Sequence, residues 1–162
     1  MSKTLILYYS YEGSTKRIAE YLANSLTLDI ERIMPVREMK TKGFGKFIWG
    51  GGQVVMKRKP KINALQVNLD QYDTVLLGSP IWAGTFAPSV YTVLETGMLK
   101  NKKIAYFYCH EGGDKHAISK ARESIEKNNE FISACPCMNV EKNFDTVRIQ
   151  VLNWVENVLK QS

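Results

Sequence analysis

The sequence predicts an α/β fold in which a parallel sheet of five strands is covered by helices on both faces. Five short apolar runs alternate with amphipathic helical segments along the 162 residues, without an internal repeat or a low-complexity linker. The third run is continuously apolar, as expected of a strand that is buried on both faces. Alternating units of this length favour a parallel sheet, and a chain of this length favours a single domain over residues 1–162.

The first half of the chain supplies three of the strands. Residues 4–9 form the first apolar run, and the helix predicted at residues 14–26 carries Ile18, Leu22 and Leu26 on one face. That spacing is typical of a helix packed against a sheet. A second strand is predicted near residues 28–33 and a third at residues 74–78.

The second half of the chain repeats the alternation. A helix is predicted after Pro88, with Val90, Val93 and Leu94 facing inward, and the fourth strand follows at residues 103–109. The next helix passes through Ile118, Ala121 and Ile125, the fifth strand lies near residues 130–140, and a final helix carries its apolar face from Val147 to Leu159.

The loop after the first strand is the most informative segment. It reads Ser10-Tyr11-Glu12-Gly13-Ser14-Thr15, between a buried strand and a helix. Hydroxyl groups, free backbone N–H groups and a helix dipole meet there, which are the groups that bind a phosphate monoester. The loop lacks the glycine triplet that a dinucleotide pyrophosphate requires, so a single phosphate suits it better. The Glu12 carboxylate would repel a phosphate, and we expect it to point to solvent.

Two further loops follow the third and fourth strands, and the carboxyl ends of parallel strands meet at the same edge of a sheet. Trp82 offers stacking area for a ring, and Gly84, Gly112 and Gly113 allow a close approach of backbone to ligand. Alternatives stay open, because Trp82 could be a core residue at a helix start and the two glycines an ordinary turn. Asp114 could cap the helix that follows it.

In these three loops the chain resembles the flavodoxin family of FMN-binding proteins. Ser10-x-Glu12-Gly13-Ser14-Thr15 resembles the family's S/T-x-T-G-x-T phosphate loop, although Glu12 replaces a usual Thr and Ser14 a common Asn. The resemblance extends from Lys3 to Leu159 and implies a flavodoxin-like, doubly wound sheet with strand order 2-1-3-4-5.

The resemblance also implies FMN as cofactor, with the second and third loops on either side of the flavin ring. His110 would then hydrogen-bond the ring or tune its reduced form, unless it is an exposed loop residue. The residues implied in binding FMN are Ser10, Glu12, Gly13, Ser14, Thr15, Ser79, Pro80, Ile81, Trp82, Ala83, Gly84, Cys109, His110, Gly112, Gly113 and Asp114.

Three functions fit such a protein. It could carry electrons between partner proteins, pass electrons from NAD(P)H to a quinone-like acceptor as an enzyme, or be an interaction module that has lost the flavin. No second nucleotide fingerprint is present, which favours the carrier. No catalytic residue is therefore assigned.

The net charge of +6 bears on the partner. Much of the excess falls in an enlarged, glycine-rich segment at about residues 35–68, on Lys40, Lys42, Lys46, Lys57, Arg58, Lys59 and Lys61. This basic segment could meet an acidic redox partner, an anionic membrane surface or the phosphates of NAD(P)H, or it could be a solvated face. Nucleic acid fits poorly, because no recognised binding motif accompanies the charge.

The cysteines predict a reducing environment. Cys109, Cys135 and Cys137 are an odd number without framework spacing. Cys135 and Cys137 would share a strand face, but two thiols alone do not close a zinc site. Buried structural cysteines are the favoured interpretation, and no metal is expected. With no signal peptide and no apolar run of about 18 residues, the cytoplasm is the expected location.

Overall fold

The computed structural model describes residues 2–37, 59–82, 84–112 and 114–162. The strands are β1 (Thr4–Tyr8), β2 (Asp29–Arg32), β3 (Thr74–Trp82), β4 (Thr85–Phe86), β5 (Lys103–His110) and β6 (Glu130–Met138). The helices are α1 (Ser14–Leu26), α2 (Pro88–Glu95), α3 (Ala117–Ile125) and α4 (Val140–Lys160), with a short 3₁₀ turn at Leu69–Gln71.

The strands form one sheet in the order β2-β1-β3-β5-β6, and all of these neighbours are parallel. The predicted five-stranded order is therefore confirmed, because the fourth and fifth predicted strands are β5 and β6. The two-residue β4 is an addition that pairs antiparallel with the end of β3. Pro136 lies in the edge strand β6. Proline is tolerated in an edge strand because its missing N–H does not remove a hydrogen bond from the middle of the sheet.

The pleat of the strands divides the core into two layers. Leu5 and Leu7 of β1 face the layer that α2 and α3 cover, and Ile6 and Tyr8 face the layer that α1 and α4 cover. Successive side chains of a strand point to opposite faces. Because both faces are covered by helices, both sets of side chains are buried, which explains the unbroken apolar runs in the sequence.

The third strand differs from its predicted extent. It runs on past Gly78 to Trp82 and then turns back through β4, so the first part of the predicted loop is strand. The extension is possible because Ile81 and Trp82 pair with Phe86 and Thr85. Composition alone does not reveal this pairing, since Pro80 interrupts the apolar pattern.

Only the ends of the enlarged segment fall within the described residues. A single antiparallel bridge joins Pro35 to Ile62, and the Lys59 ammonium pairs with Glu95 at 3.3 Å. The predictions for Lys40, Lys42, Lys46, Lys57 and Arg58 lie outside the described residues. Within the described part of the chain, no helix combines the length and apolarity that crossing a membrane would require.

Candidate functional site

The carboxyl ends of β1, β3 and β5 converge on one cavity of about 420 Å³. This volume is within the range of small-molecule sites, which is about 300–1,000 Å³. The cavity lies at the edge of the sheet where the strand order reverses beside β1, which is the usual place for a ligand in a doubly wound fold. Its lining residues are Ser10, Tyr11, Glu12, Ser14, Thr15, Pro80, Ile81, Trp82, Cys109, His110, Glu111, Gly112, Val140 and Glu141.

The loop between β1 and α1 presents unpartnered polar groups at one end of the cavity. Ser10 and Thr15 are each 1% exposed, and their hydroxyls have no hydrogen-bond partner in the structure. No side chain caps α1, whose first internal hydrogen bond runs from Arg17 N–H to the Gly13 carbonyl. The N–H groups of the first turn therefore have no partner within the helix. A buried hydroxyl without a partner is costly, so this loop is suited to an acceptor such as a phosphate.

Glycine is required at position 13 for its backbone conformation. Gly13 has φ of +107°, which L side chains rarely adopt, although a Cβ there would meet nothing within 4 Å. This turn directs the chain from β1 into α1. The neighbouring Glu12 side chain is exposed at the cavity rim, so its carboxylate is solvated.

A cation that the sequence reasoning missed supports the same loop. Arg32, at the end of β2, donates from Nη2 to the Ser10 carbonyl at 2.8 Å. Its Nε is buried and makes no hydrogen bond in the structure. The guanidinium therefore fixes the first residue of the loop and adds positive charge beside it. Sequence proximity could not reveal this, because the two residues are 22 positions apart.

Aromatic rings form one wall of the cavity. Trp82 lies edge-on to Tyr9 and to Tyr11, with ring centroids 5.6 and 5.7 Å apart. Such T-shaped contacts fix the orientation of a ring. The half-buried Trp82 belongs to strand β3, so it does not start a helix, although it packs against the core as the alternative expected. Its ring offers an apolar surface to a planar ligand.

His110, which also lines the cavity, is held in one orientation. Its Nδ1 accepts from the Gly112 N–H at 3.2 Å, and its Nε2 lies 3.7 Å from Asp114 Oδ2. Since Nδ1 accepts a hydrogen bond, Nε2 is the nitrogen that carries the proton of the neutral ring. The side chain is 6% exposed, so the alternative of an exposed loop histidine is wrong.

Asp114 does not line the cavity but contacts both His110 and Tyr108. Its carboxylate accepts from the Tyr108 hydroxyl at 3.0 Å, and burial together with this carboxylate raises the pKa of Tyr108 well above its ordinary value. Asp114 does not cap α3, since the residue at the N-cap position is His116. The capping alternative is therefore wrong.

Most of the predicted binding residues line the cavity, but four of the described ones do not. Within the described residues, Gly13, Ser79, Gly84 and Asp114 do not line the cavity. The Ser79 hydroxyl donates to the Pro80 carbonyl and accepts from Ala87 N–H, so it connects β3 to the start of α2. Gly84, with φ of +77°, forms the turn between β3 and β4. Ala83 and Gly113 lie outside the described residues.

Four lining residues were not predicted. Tyr11 and Glu111 lie within the loops that the sequence singled out, but an aromatic or an acidic side chain in such a loop does not by itself indicate a ligand contact. Val140 and Glu141 begin α4. They reach the cavity because β6 lies beside β5, and Asn139 N–H donates to the His110 carbonyl at 2.9 Å. Only the sheet order brings this first turn of α4 to the site.

Three thiols gather beneath the same cavity. Cys109 lines it, and Cys137 lies opposite Cys109 in the register of β5 and β6. All three cysteines are free and buried. The Cys137 thiol lowers the pKa of Cys109, although burial opposes this change. The described residues contain no cluster of three or more potential ligands that could hold a metal ion.

Comparisons with known proteins agree with this architecture. The model of the flavodoxin family matches residues 3–158. No curated protein gives a significant match. A flavoprotein from Lactobacillus acidophilus solved in complex with FMN is 24% identical, with a TM-score of 0.70 over 84% of this chain and 93% of that one.

Two further solved structures have the same fold. The apo-form of the flavoprotein from Lactobacillus acidophilus is 26% identical, with a TM-score of 0.65 over 91% of this chain and 97% of that one. Oxidised flavodoxin 2 from Bacillus cereus is 18% identical, with a TM-score of 0.56 over 99% of this chain and 100% of that one.

Proposed function

Because the chain belongs to the flavodoxin family, we propose that it binds FMN noncovalently in the cavity at the carboxyl edge of the sheet and functions as an electron carrier. The observation that carries the proposal is the pair of buried, unpartnered hydroxyls of Ser10 and Thr15 at the start of α1. When bound, FMN supplies a ring that accepts and releases electrons.

The phosphate of FMN suits the loop chemically. Hydrogen bonds from hydroxyl and N–H groups to an ionised acceptor are the strong ones, and the N-terminus of α1 adds a favourable dipole. Arg32 supplies positive charge next to Ser10. In our proposal Ser10, Ser14 and Thr15 hold the phosphate, while Gly13 shapes the turn.

The ring of the cofactor suits the rest of the cavity. Trp82 and Ile81 supply apolar surface that excludes water, and Gly112 lets the backbone approach a polar ring edge. His110 Nε2 would donate to a flavin oxygen or nitrogen. The flavoprotein from Lactobacillus acidophilus that was solved with FMN supports this choice of cofactor.

The cofactor can be identified directly. The purified protein should be yellow, and heat should release FMN that chromatography separates from FAD and riboflavin. FAD would need an additional pocket for its adenosine, which the three loops do not provide in our interpretation. Recovery of FAD, or a colourless protein that ignores added FMN, would contradict the proposal, and the latter would favour a flavin-free interaction module.

The carrier role is favoured over an enzyme that uses NAD(P)H. An enzyme of that kind must hold a nicotinamide flat against the flavin, and the sequence shows no second nucleotide fingerprint. We propose that the basic segment docks an acidic redox partner. Lys61 is exposed, whereas Lys59 is paired with Glu95. Of these two described lysines, Lys61 is therefore the better candidate for docking.

Electron transfer through a reductase should therefore weaken as salt rises, since charges are screened beyond about 8–10 Å at physiological ionic strength. Reversal of Lys57, Arg58 and Lys61 to Glu should slow reduction by the reductase without lowering FMN content. Lys100→Glu is the matched control, because this exposed lysine lies at the opposite edge of the sheet. Rapid bleaching of the flavin by NAD(P)H alone would make the protein an enzyme instead.

The location proposed for the protein is the cytoplasm. The three cysteines are free and unbridged, which fits a reducing compartment.

A further inference from the structure

We propose that Cys109 and Cys137 form a peroxide-sensitive thiol pair at the floor of the cavity, in which Cys109 is oxidised first and Cys137 closes a disulfide with it. This inference depends on the cavity and on the strand register, and it goes beyond the binding of FMN. The molecule that would enter the cavity is a small hydroperoxide, which oxidises the two thiols.

The register brings the two thiols together. Cys109 of β5 and Cys137 of β6 are direct partners in a parallel ladder. Neighbouring strands lie about 4.8 Å apart, and a disulfide accepts Cα separations of about 4.4–6.8 Å. Both side chains belong to the same core layer, the one covered by α1 and α4. A bond between the two sulfurs therefore needs little movement of the backbone.

The two thiols differ in their access to the cavity. Cys109 lines it and is 6% exposed, whereas Cys137 is fully buried. A small oxidant that enters the cavity can reach only the first of them. Cys135 is also in contact with Cys137, but it does not line the cavity, and its sulfur accepts from the Gln150 amide at 3.7 Å.

The surroundings of Cys109 favour its reaction. The thiolate is the nucleophile in thiol oxidation. The contact with Cys137 lowers the pKa of Cys109, while the contacts with the other two thiols raise that of Cys137. Because Cys109 is also the thiol that lines the cavity, it takes the attacking role, and the fully buried Cys137 is the second thiol.

The reaction balances with one hydroperoxide. The Cys109 thiolate attacks the O–O bond, takes one oxygen to become a sulfenic acid, and releases hydroxide, which takes up a proton as water. The Cys137 sulfur then displaces the second oxygen as water, with loss of its own proton, and the S–S bond forms. Two thiols are oxidised by two electrons in total, and hydrogen peroxide is reduced to two waters.

Peptide mass spectrometry of the protein after brief exposure to hydrogen peroxide tests whether Cys109 and Cys137 form the disulfide. Free thiols are blocked by alkylation and the protein is digested with trypsin. The expected product joins the peptide of residues 104–115, which contains Cys109, to that of residues 128–142. Because the second peptide contains two cysteines, Cys135→Ser serves as the matched control and should leave the linked product in place.

Cys137→Ser should abolish the linked peptide and leave Cys109 as a sulfenic acid that dimedone traps. Circular dichroism should show the native spectrum for both variants, and Cys137→Ala replaces Cys137→Ser if the hydroxyl is not tolerated at the buried position. A link that survives in the Cys137 variant, or wild-type protein that peroxide leaves with three alkylated thiols, would overturn the proposal.

Discussion

Removal of the Thr15 hydroxyl should weaken FMN binding without lowering the stability of the protein free of cofactor. Thr15→Val keeps the shape of the side chain but deletes an oxygen that is buried and has no hydrogen-bond partner in the structure. In the same way, Ser10→Ala deletes the second such oxygen of the loop. Both changes remove a hydroxyl that the proposal assigns to the phosphate.

The magnitude follows from two opposite effects. A hydrogen bond to a charged group contributes about 1.5–3 kcal/mol, and about 1.4 kcal/mol is tenfold in affinity. Each variant should therefore lose roughly 10- to 150-fold in FMN affinity, and the double variant about two to four decades. An unsatisfied buried hydroxyl costs about 1–3 kcal/mol, so the unfolding free energy of the apoprotein should stay constant or rise.

The assay is titration of apoprotein with FMN and with riboflavin, followed by quenching of flavin fluorescence. Riboflavin lacks the phosphate, so its affinity should change little. Thr74→Val is a matched control, because Thr74 is also fully buried with an unpartnered hydroxyl but lies at the opposite end of β3. Equal weakening of FMN and riboflavin, or the same loss of FMN affinity in the control, would refute the phosphate assignment.

Three further predictions concern the scaffold of the site. Arg32→Met should weaken FMN binding more than riboflavin binding, because the cation fixes the phosphate loop. Arg32→Lys keeps the charge and should restore part of the lost FMN affinity. Identical FMN titrations of the Met and Lys variants would contradict this. Gly78→Ala should cost about 1–3 kcal/mol in urea denaturation, since the new Cβ collides with the buried Phe107 ring; an unchanged midpoint would be contrary evidence. Lys3 at 2.9 Å lowers the pKa of Asp29, so the stability that Asp29 adds relative to Asp29→Asn should be present above about pH 4 and fade as pH falls further. Urea denaturation at several pH values measures this, and a difference independent of pH would count against the ion pair.

Much of the fold could be predicted because its signal is local. The helix at residues 14–26 matches α1, and Ile18 and Leu22 are fully buried in its packed face. The inner strands β1, β3 and β5 had clear apolar runs because both faces of the sheet are covered there, whereas the edge strand β2 is only partly buried. The end of β3 had no such signal, since the partner of Trp82 is a two-residue strand that follows a tight turn.

The candidate site was predictable in part for the same reason. Thr15 starts the helix that follows β1 and Trp82 ends β3, and the carboxyl ends of parallel strands always share an edge. Ser79 was assigned to the ligand from its position in a loop, but its hydroxyl is used within the protein. A short polar side chain has the same sequence signature whether its partner is a ligand or its own backbone.

The sequence by itself determined the order of strands and helices, the glycine turn at Gly13 and the loop chemistry that suits a phosphate, because these depend on neighbours within a few residues. Only the tertiary structure decided which distant groups meet. Arg32 reaches Ser10 from the end of β2, and Cys137 lies opposite Cys109 in the register of β5 and β6. The reason is physical: hydrogen bonds and thiol contacts act over a few ångströms, and strand register sets those distances between residues that are far apart in the chain.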